Sequence, residues 1–383
     1  MGLILNDLKN ACELEHVCDY VNNRTTSSMN YISTENMLPN KGGISESTII
    51  PPGTTTEYKI GDILISNIRP YFQKIWYADR CGGCSADVLC IRAKENTDSK
   101  YLYYLLSQQA FFDYVMSGAK GCKMPRGDKK QIMQWPVNIP AIDVQKKVVA
   151  ILSSLDNKIR LNRRINDNLE EQAKALFNHY FIQNTENLGE WQDGVLTDIA
   201  QYLNGLAMQK YPAMPNEAGL PVLKIKELGQ GQCDTNSDRC SSLIKPEYII
   251  SDGTIIFSWS GTLLVDIWCG GKCGLNQHLF KVSSAKYPQW FVFYWTKHHL
   301  NKFIRIAKDK AVTMGHIKRC DLEISKVKIP SKQALVNLDK LFSPIFNRMV
   351  TCRIENRKLS SLRDTLLPKL MSGEISVEEV SLD

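Results

Sequence analysis

At 383 residues, with 43% hydrophobic and 23% charged side chains, the chain is long enough for two or three folded domains and too apolar to be disordered throughout. A formal charge of +7 and a pI near 8.7 permit a nucleic-acid partner without establishing one. The longest apolar runs, such as Trp290–Trp295, are far too short to span a bilayer and no signal-peptide pattern opens the chain, so the expectation is a cytoplasmic protein without membrane contact. In a reducing compartment the twelve cysteines are expected as thiols or metal ligands.

The chain opens with short β-branched or aromatic runs separated by Gly, Asn, Asp and Pro clusters, which predict strands. Among them GDILISN (Gly61–Asn67) reads as a glycine turn feeding an apolar strand, with Arg69, Tyr71 and Lys74 just beyond it. Cys81 and Cys84 then form CGGC. A structural zinc would need a second pair, and neither Cys90 with Cys122 nor Cys233 with Cys240 has knuckle spacing, so buried thiols beside a glycine turn is the better reading. Cys269 and Cys273 in CGGKC read the same way, and no metal is expected. YLYYLLS (Tyr101–Ser107) is bulky enough for core, and Lys120, Lys123, Arg126, Lys129 and Lys130 crowd the glycine-containing segment after it.

From Val144 to Tyr180 the pattern is helical. Leu155, Asn162, Leu169 and Leu176 recur every seven residues, and Ile159, Asn166, Ala173 and Tyr180 interleave, which is the seam of a coiled coil. Such a helix would be about 55 Å long at 1.5 Å per residue and would have to pack partly outside the domain before it. After the polar segment Asn184–Trp191 the chain repeats itself at a shift of about 190 residues. GTIIFSW (Gly253–Trp259) corresponds to GDILISN, WFVFYWT (Trp290–Thr296) to YLYYLLS, and AVTMGHIKRCDLEISKVKIP (Ala311–Pro330) to GCKMPRGDKKQIMQWPVNIP (Gly121–Pro140). Each copy ends in Ile-Pro followed by a helix, the second carrying Ile345, Met349, Cys352, Asn356, Leu359, Arg363 and Leu366 along its seam. Asn166 and Asn356 occupy equivalent places, where a polar residue weakens packing but sets register.

The expected fold is α+β: two globular domains of mixed strands and helices, each followed by a long helix, the two helices pairing as a coiled coil. The boundaries predicted are a first domain at 1–141, a spacer helix at 142–183, a second domain at 184–331, a second spacer at 332–372 and a tail at 373–383.

Catalytic motifs do not occur: there is no GxxxxGK[ST], HExxH or GxSxG. Ser343–Phe346 lies in the helix pattern, Glu57–Lys59 lacks a preceding Pro-Asp, and the six histidines show no ligand spacing. The basic segment does recur in the second copy, as Lys302, Arg305, Lys308, Lys310, His316, Lys318 and Arg319, with Thr313 among them. One cationic run is usually a solvated face. Two at matching places in a duplicated domain favour DNA, because cations neutralise phosphates while Arg, Lys, Asn and Gln read base edges. Heads held about one helical turn apart, roughly 34 Å, would read a bipartite target with an unread gap.

These segments resemble the specificity (S) subunits of type I restriction-modification systems. GDILISNIRPYFQK, VNIPAIDVQKKVVAIL, NDNLEEQAKALFNHYF, NGLAMQKYP, LNQHLFKV and LRDTLLPKLMSGEISV carry the resemblance over nearly the whole chain. It implies two target-recognition domains, antiparallel spacer helices and a non-catalytic role. The implied partners are double-stranded DNA, modification subunits that use S-adenosylmethionine to methylate adenine, and restriction subunits that use ATP and Mg; no cofactor is implied in this chain. LNQHLF adds Gln277 and His278 to the DNA-binding candidates. The alternatives are a specificity module for a methyltransferase without restriction, or a coiled-coil adaptor that does not bind DNA.

Overall fold

In a computed structural model that describes residues 12–26, 30–45, 53–121, 123–183, 191–309 and 315–377, GDILISN forms the strand Ile63–Ser66 at the centre of an antiparallel sheet. Its order is Cys18–Tyr20, Val88–Ala93, Ile63–Ser66, Ile75–Tyr77. Gly61 sits at φ +91°, a left-handed conformation glycine adopts without Cβ strain, and donates its N–H to Ala78 O, closing the turn. A three-stranded sheet of Arg24–Thr25, Thr55–Tyr58 and Gly82–Cys84 lies in the same unit, and Cys12–Glu13 pairs with Pro136–Val137.

The second copy rebuilds this plan. Thr254–Ser258 is central in an antiparallel sheet ordered Gln201–Asn204, Leu279–Ser283, Thr254–Ser258, Leu264–Trp268. Gly253 at φ +84° donates to Trp268 O as Gly61 does to Ala78 O. Gln192–Val195 pairs with Lys326–Ile329, the counterpart of the pair at 12–13 and 136–137. Leu220–Leu223, Arg239–Cys240, Ile249–Ile250 and Cys273–Leu275 form a further sheet with one parallel pair.

Both aromatic runs are helical and buried. Tyr101, Leu102, Tyr104 and Leu105 lie on Ser99–Leu106, capped by Asp98 Oδ1, which accepts from the N–H groups of Lys100 and Tyr101. A second short helix, Gln109–Ser117, follows. In the second copy one continuous helix, Gln289–Asp309, takes this place.

The long helices run Ile142–Phe177, continued by a π-helical stretch at Asn178–Gln183, and Lys332–Ser372. Compactness divides the chain into 1–156 with 361–383, and 157–360. Each unit thus takes in part of both helices. Val148, Ile151, Leu152, Leu367, Leu370 and Met371 belong to the first core, with Ile63, Ile65, Leu89 and Ile91. Ala173, Phe177, Phe181, Leu338, Phe342 and Phe346 belong to the second, with Ile255, Phe257 and Trp290–Trp295. Boundaries at 141, 183 and 331 follow the helix ends, but they separate residues that share one core.

Along the predicted seam Ile159, Asn162 and Met349 are buried, while Leu155, Asn166, Leu169, Leu176, Ile345, Asn356, Leu359 and Leu366 are half-buried. Within the second unit, Asn162 Nδ2 donates to Glu355 Oε2 (2.9 Å) and Asn356 Oδ1 (3.0 Å), and Phe181 meets Phe342 at 6.4 Å. Of the two seam asparagines on the first helix, it is Asn162 that contacts Asn356; Asn166, the repeat counterpart of Asn356, does not bond to it. Asn166 Oδ1 is buried and accepts no hydrogen bond among the described residues. Among the described residues, no helix is long and apolar enough to cross a membrane.

His299, on Gln289–Asp309, is buried with Nε2 2.8 Å from Lys326 O, and burial holds its pKa down at about 4 against an ordinary 6.5. Between pH 6.5 and about 4 the unfolded chain takes up a proton that the folded chain does not, so stability is fully present above pH 6.5 and falls as the pH drops through that window. His299→Gln is expected to flatten this dependence by at most about 3 kcal/mol. Urea midpoints followed by tryptophan fluorescence between pH 7 and about pH 4 measure it, and an unchanged slope contradicts it.

Candidate nucleic-acid interface

In each unit the segment that leaves the central strand is stitched to the basic segment by two backbone hydrogen bonds. In the first, Arg69 N–H donates to Pro125 O (2.8 Å) and Gly127 N–H to Asn67 O (3.3 Å). In the second, Gly261 N–H donates to Gly315 O (3.0 Å) and Ile317 N–H to Trp259 O (3.1 Å). Bridges Ile68↔Arg126 and Ser260↔His316 mark the same crossing. Two loops that would otherwise leave backbone groups unpaired hold each other. The crossing sets Arg69 beside Pro125 and Arg126 in the first unit, and Trp259 beside His278 and His316 in the second.

In the first unit Lys120, Lys123 and Arg126 lie on the connection from Gln109–Ser117 to the helix Lys129–Met133, and all are exposed. Lys120 Nζ pairs with Asp128 (2.8 Å) and Arg126 with Asp87 (3.1 Å). Asp128 also caps the helix by accepting from the N–H of Lys130 (2.9 Å), and the Lys120 bond, with that cap, holds its carboxyl below the usual range. Such exposed pairs are weak and exchange readily for a phosphate. Lys129 and Lys130 stand exposed on the helix's first turn. Lys74 is turned inward: Nζ donates to Thr34 O (2.7 Å), and burial lowers its pKa. Its part in the site is to tie down the loop.

In the second unit the crossing gathers a set that sequence reasoning only half identified. His278 and His316 both lie near Trp259, ring centroids 6.1 Å and 6.4 Å away. Trp259 Nε1 donates to Asn204 Oδ1 (2.9 Å), and Ser260 Oγ is 2.9 Å from His278 Nδ1. Gln277 is half-buried, its Oε1 without a hydrogen bond among the described residues. Lys318 is exposed and precedes the helix Arg319–Glu323, while Lys308 is exposed on the last turn of Gln289–Asp309. Lys310 and Thr313 lie outside the described residues. Trp259 and Asn204 were missed; aligning SNIRPYF with SWSGTLL, one repeat apart, places Trp259 opposite the strand-exit residue Asn67.

Of the cysteine pairs, Cys81 is exposed whereas Cys84, Cys269 and Cys273 are buried, and burial pushes the Cys269 thiol up to about 11. Among the described residues every cysteine is a free thiol, and no group of three or more His, Cys, Asp or Glu side chains is placed to hold a metal.

Residues 9–171 match the family model described as type I restriction modification DNA specificity domain. Over 310 residues the chain is 26% identical to the type I restriction enzyme MjaIX specificity subunit of Methanocaldococcus jannaschii, covering 75% of this chain and 71% of that one. It is 21% identical over 434 residues to the HindI specificity subunit of Haemophilus influenzae, covering 90% and 94%. The solved S subunit of the type I restriction-modification system of M. genitalium shares the fold, with a TM-score of 0.54 over 97% of this chain and 98% of that one at 15% identity.

If the exposed lysines of the first unit meet phosphates, the double variant Lys123→Ala, Lys130→Ala is expected to lower DNA affinity evenly across sequences. The slope of log affinity against log salt should fall by about two. Titrations of the assembled complex at several salt concentrations measure it, and an unchanged slope places these lysines away from the phosphates.

Proposed function

Because the chain belongs to the family of type I restriction-modification specificity subunits, we propose that it recognises a bipartite, asymmetric DNA target and positions the subunits that act on it. The observation that carries this reading is the stitched pair of loops, built twice with cations and ring side chains around the same backbone crossing. Each unit reads one short block of bases. The blocks differ because the side chains differ: Arg69 and Tyr71 with Lys123 and Lys130 in one, Trp259, His278 and His316 in the other.

The long helices pair antiparallel as a coiled-coil spacer and set the unread gap between blocks; Asn162 bonded to Asn356 within the second unit supports that pairing. The domains at 1–141 and 184–331 are the target-recognition parts. The chain is a non-catalytic subunit. Adenine methylation with S-adenosylmethionine falls to modification subunits, which must take the base out of the duplex, and translocation and cleavage with ATP and Mg fall to restriction subunits. The site of action is the cytoplasm, where genomic DNA and these partners meet.

Mapping methylated adenines in a host that carries the chain with its modification partner is expected to show two different short blocks at a fixed spacing. Methylation at a single continuous site would overturn the bipartite reading.

Large apolar residues stand exposed on the long helices: Ile142, Val144 and Leu161 on the first, Val336, Leu341 and Leu362 on the second. They suit docking of the modification subunits. Leu161→Asp with Leu362→Asp, at positions 50% and 47% exposed, is expected to weaken co-purification of the modification subunit about tenfold or more with an unchanged thermal midpoint. Equal recovery would move the docking surface elsewhere.

A further inference from the structure

Four of the five non-glycine residues with positive φ among the described residues fall on two loops of the first unit that bond to each other: Asn40 (φ 55°), Lys41 (60°), Arg69 (51°) and Gln73 (50°). Asn40 N–H donates to Phe72 O (2.8 Å) and Lys41 N–H to Gln73 O (3.0 Å), while Arg69 N–H reaches Pro125 O on the opposite side. Left-handed backbone is unfavourable in residues with a Cβ and persists only where the surroundings impose it. Here the imposed conformation has one visible product. Between Arg69 and Gln73 the single 3₁₀ turn Pro70–Phe72 buries its proline and lifts two aromatic rings out of the fold, Tyr71 at 49% and Phe72 at 37% exposure.

The rings lie 4.7 Å apart between centroids, and Lys74 Nζ stands 5.9 Å from the Phe72 ring. Met124, 49% exposed, is carried by the basic loop one residue before Pro125, to which Arg69 is bonded. A protein surface gains nothing from three large apolar side chains carried on a basic loop, the one bearing Lys120, Lys123 and Arg126, and on the turn bonded to it. Water is a poor solvent for them, and that cation set repels most basic partners. Stacked bases between two lines of phosphates match both features, since the cations meet the backbone and the rings meet the base stack.

We propose that Tyr71 and Phe72 form a preorganised aromatic wedge that enters the base stack of the block read by the first unit and kinks the duplex there. Among the described residues, the corresponding strand exit of the second unit, SWSGT, carries no adjacent pair of aromatic rings, and its Trp259 is bonded to Asn204. The kink is therefore one-sided. This rests on the proposed DNA-recognition role and specifies how one unit carries it out.

The test uses the full chain assembled with its modification subunits, on a duplex carrying the target mapped by methylation. Single 2-aminopurines are placed at each position of the first unit's block except the methylated adenine, where base extrusion itself would brighten the probe. Wild type is expected to brighten one step. Tyr71→Ala with Phe72→Ala should abolish that signal and lower affinity about tenfold or more, compared at a temperature where circular dichroism shows both proteins folded. A duplex with a mismatch at the same step, already unstacked, should restore most of the lost affinity. Wild-type complex that binds its target selectively without brightening any step overturns the wedge and leaves DNA recognition standing. The same holds for an alanine variant that matches wild type on intact duplex. Wild-type complex without selective binding overturns the underlying role.

Discussion

The structure depends on the satisfaction of backbone donors and acceptors where a loop leaves a central strand. A surface loop that carries side chains of almost any kind must still hold its shape, and only part of it, such as Pro70 and Lys74, packs inward. This fold meets the demand with main-chain bonds: Arg69 to Pro125 and Gly127 to Asn67, then Gly261 to Gly315 and Ile317 to Trp259. Backbone bonds do not depend on side-chain identity. The same crossing therefore supports IRPYF in one copy and SGTLL in the other, and the residues that meet a partner can differ while their support stays the same.

The long helices obey a different constraint. A helix burying only a narrow stripe gains modest stability per residue, and theirs is interrupted by Asn162 and Asn356. The attachment is completed by charge pairs from the helices into the globular parts. In the second unit Arg353 reaches Asp266 (2.7 Å), and Arg357 grips Asp252 with both terminal nitrogens (2.7 and 2.8 Å), its bond to Asp252 holding that carboxyl below the usual range. In the first, Asp156 accepts from Tyr104 Oη (2.7 Å) and Arg363 (2.8 Å). Bidentate and branched pairs of this kind are directional, so they fix orientation where an apolar stripe would tolerate slippage. These pairs contribute fixed orientation more than added stability.

The duplication was legible because it rests on features that local physics forces into the sequence. Gly61 and Gly253 recur because that turn needs positive φ, and the Ile-Pro ends recur because a proline disfavours helix in the residue before it, so each long helix begins two residues after it. Helix existence and the seam at Leu155, Ile159 and Asn162 were readable from period alone. Two things were not. The partner of Asn356 depends on the axial offset of two helices, and a seven-residue repeat fits Asn162 as well as Asn166 because both lie on the seam. The division of the chain through the helices depends on long-range packing of Phe177 and Phe181 against Trp295, which no local pattern encodes. At the candidate site the cations were visible as composition, but the inward turn of Lys74 and the clustering of His278 and His316 around Trp259 arise only when distant loops meet.

That difference explains the asymmetry between the two units. Shared scaffold is written in residues whose backbone geometry is restricted, so it survives divergence and shows in the sequence. Recognition is written in residues whose backbone geometry is free, and there the copies have separated. The exception is the strained pair Arg69 and Gln73, which carry αL conformations without glycine. Both side chains are half-buried, Gln73 bonded to Gln109 and Arg69 with its Nε enclosed, so contacts inside the fold help hold the left-handed turns. The most local feature of the first unit's loop, its left-handed turns, is thus one that residues distant in sequence hold in place.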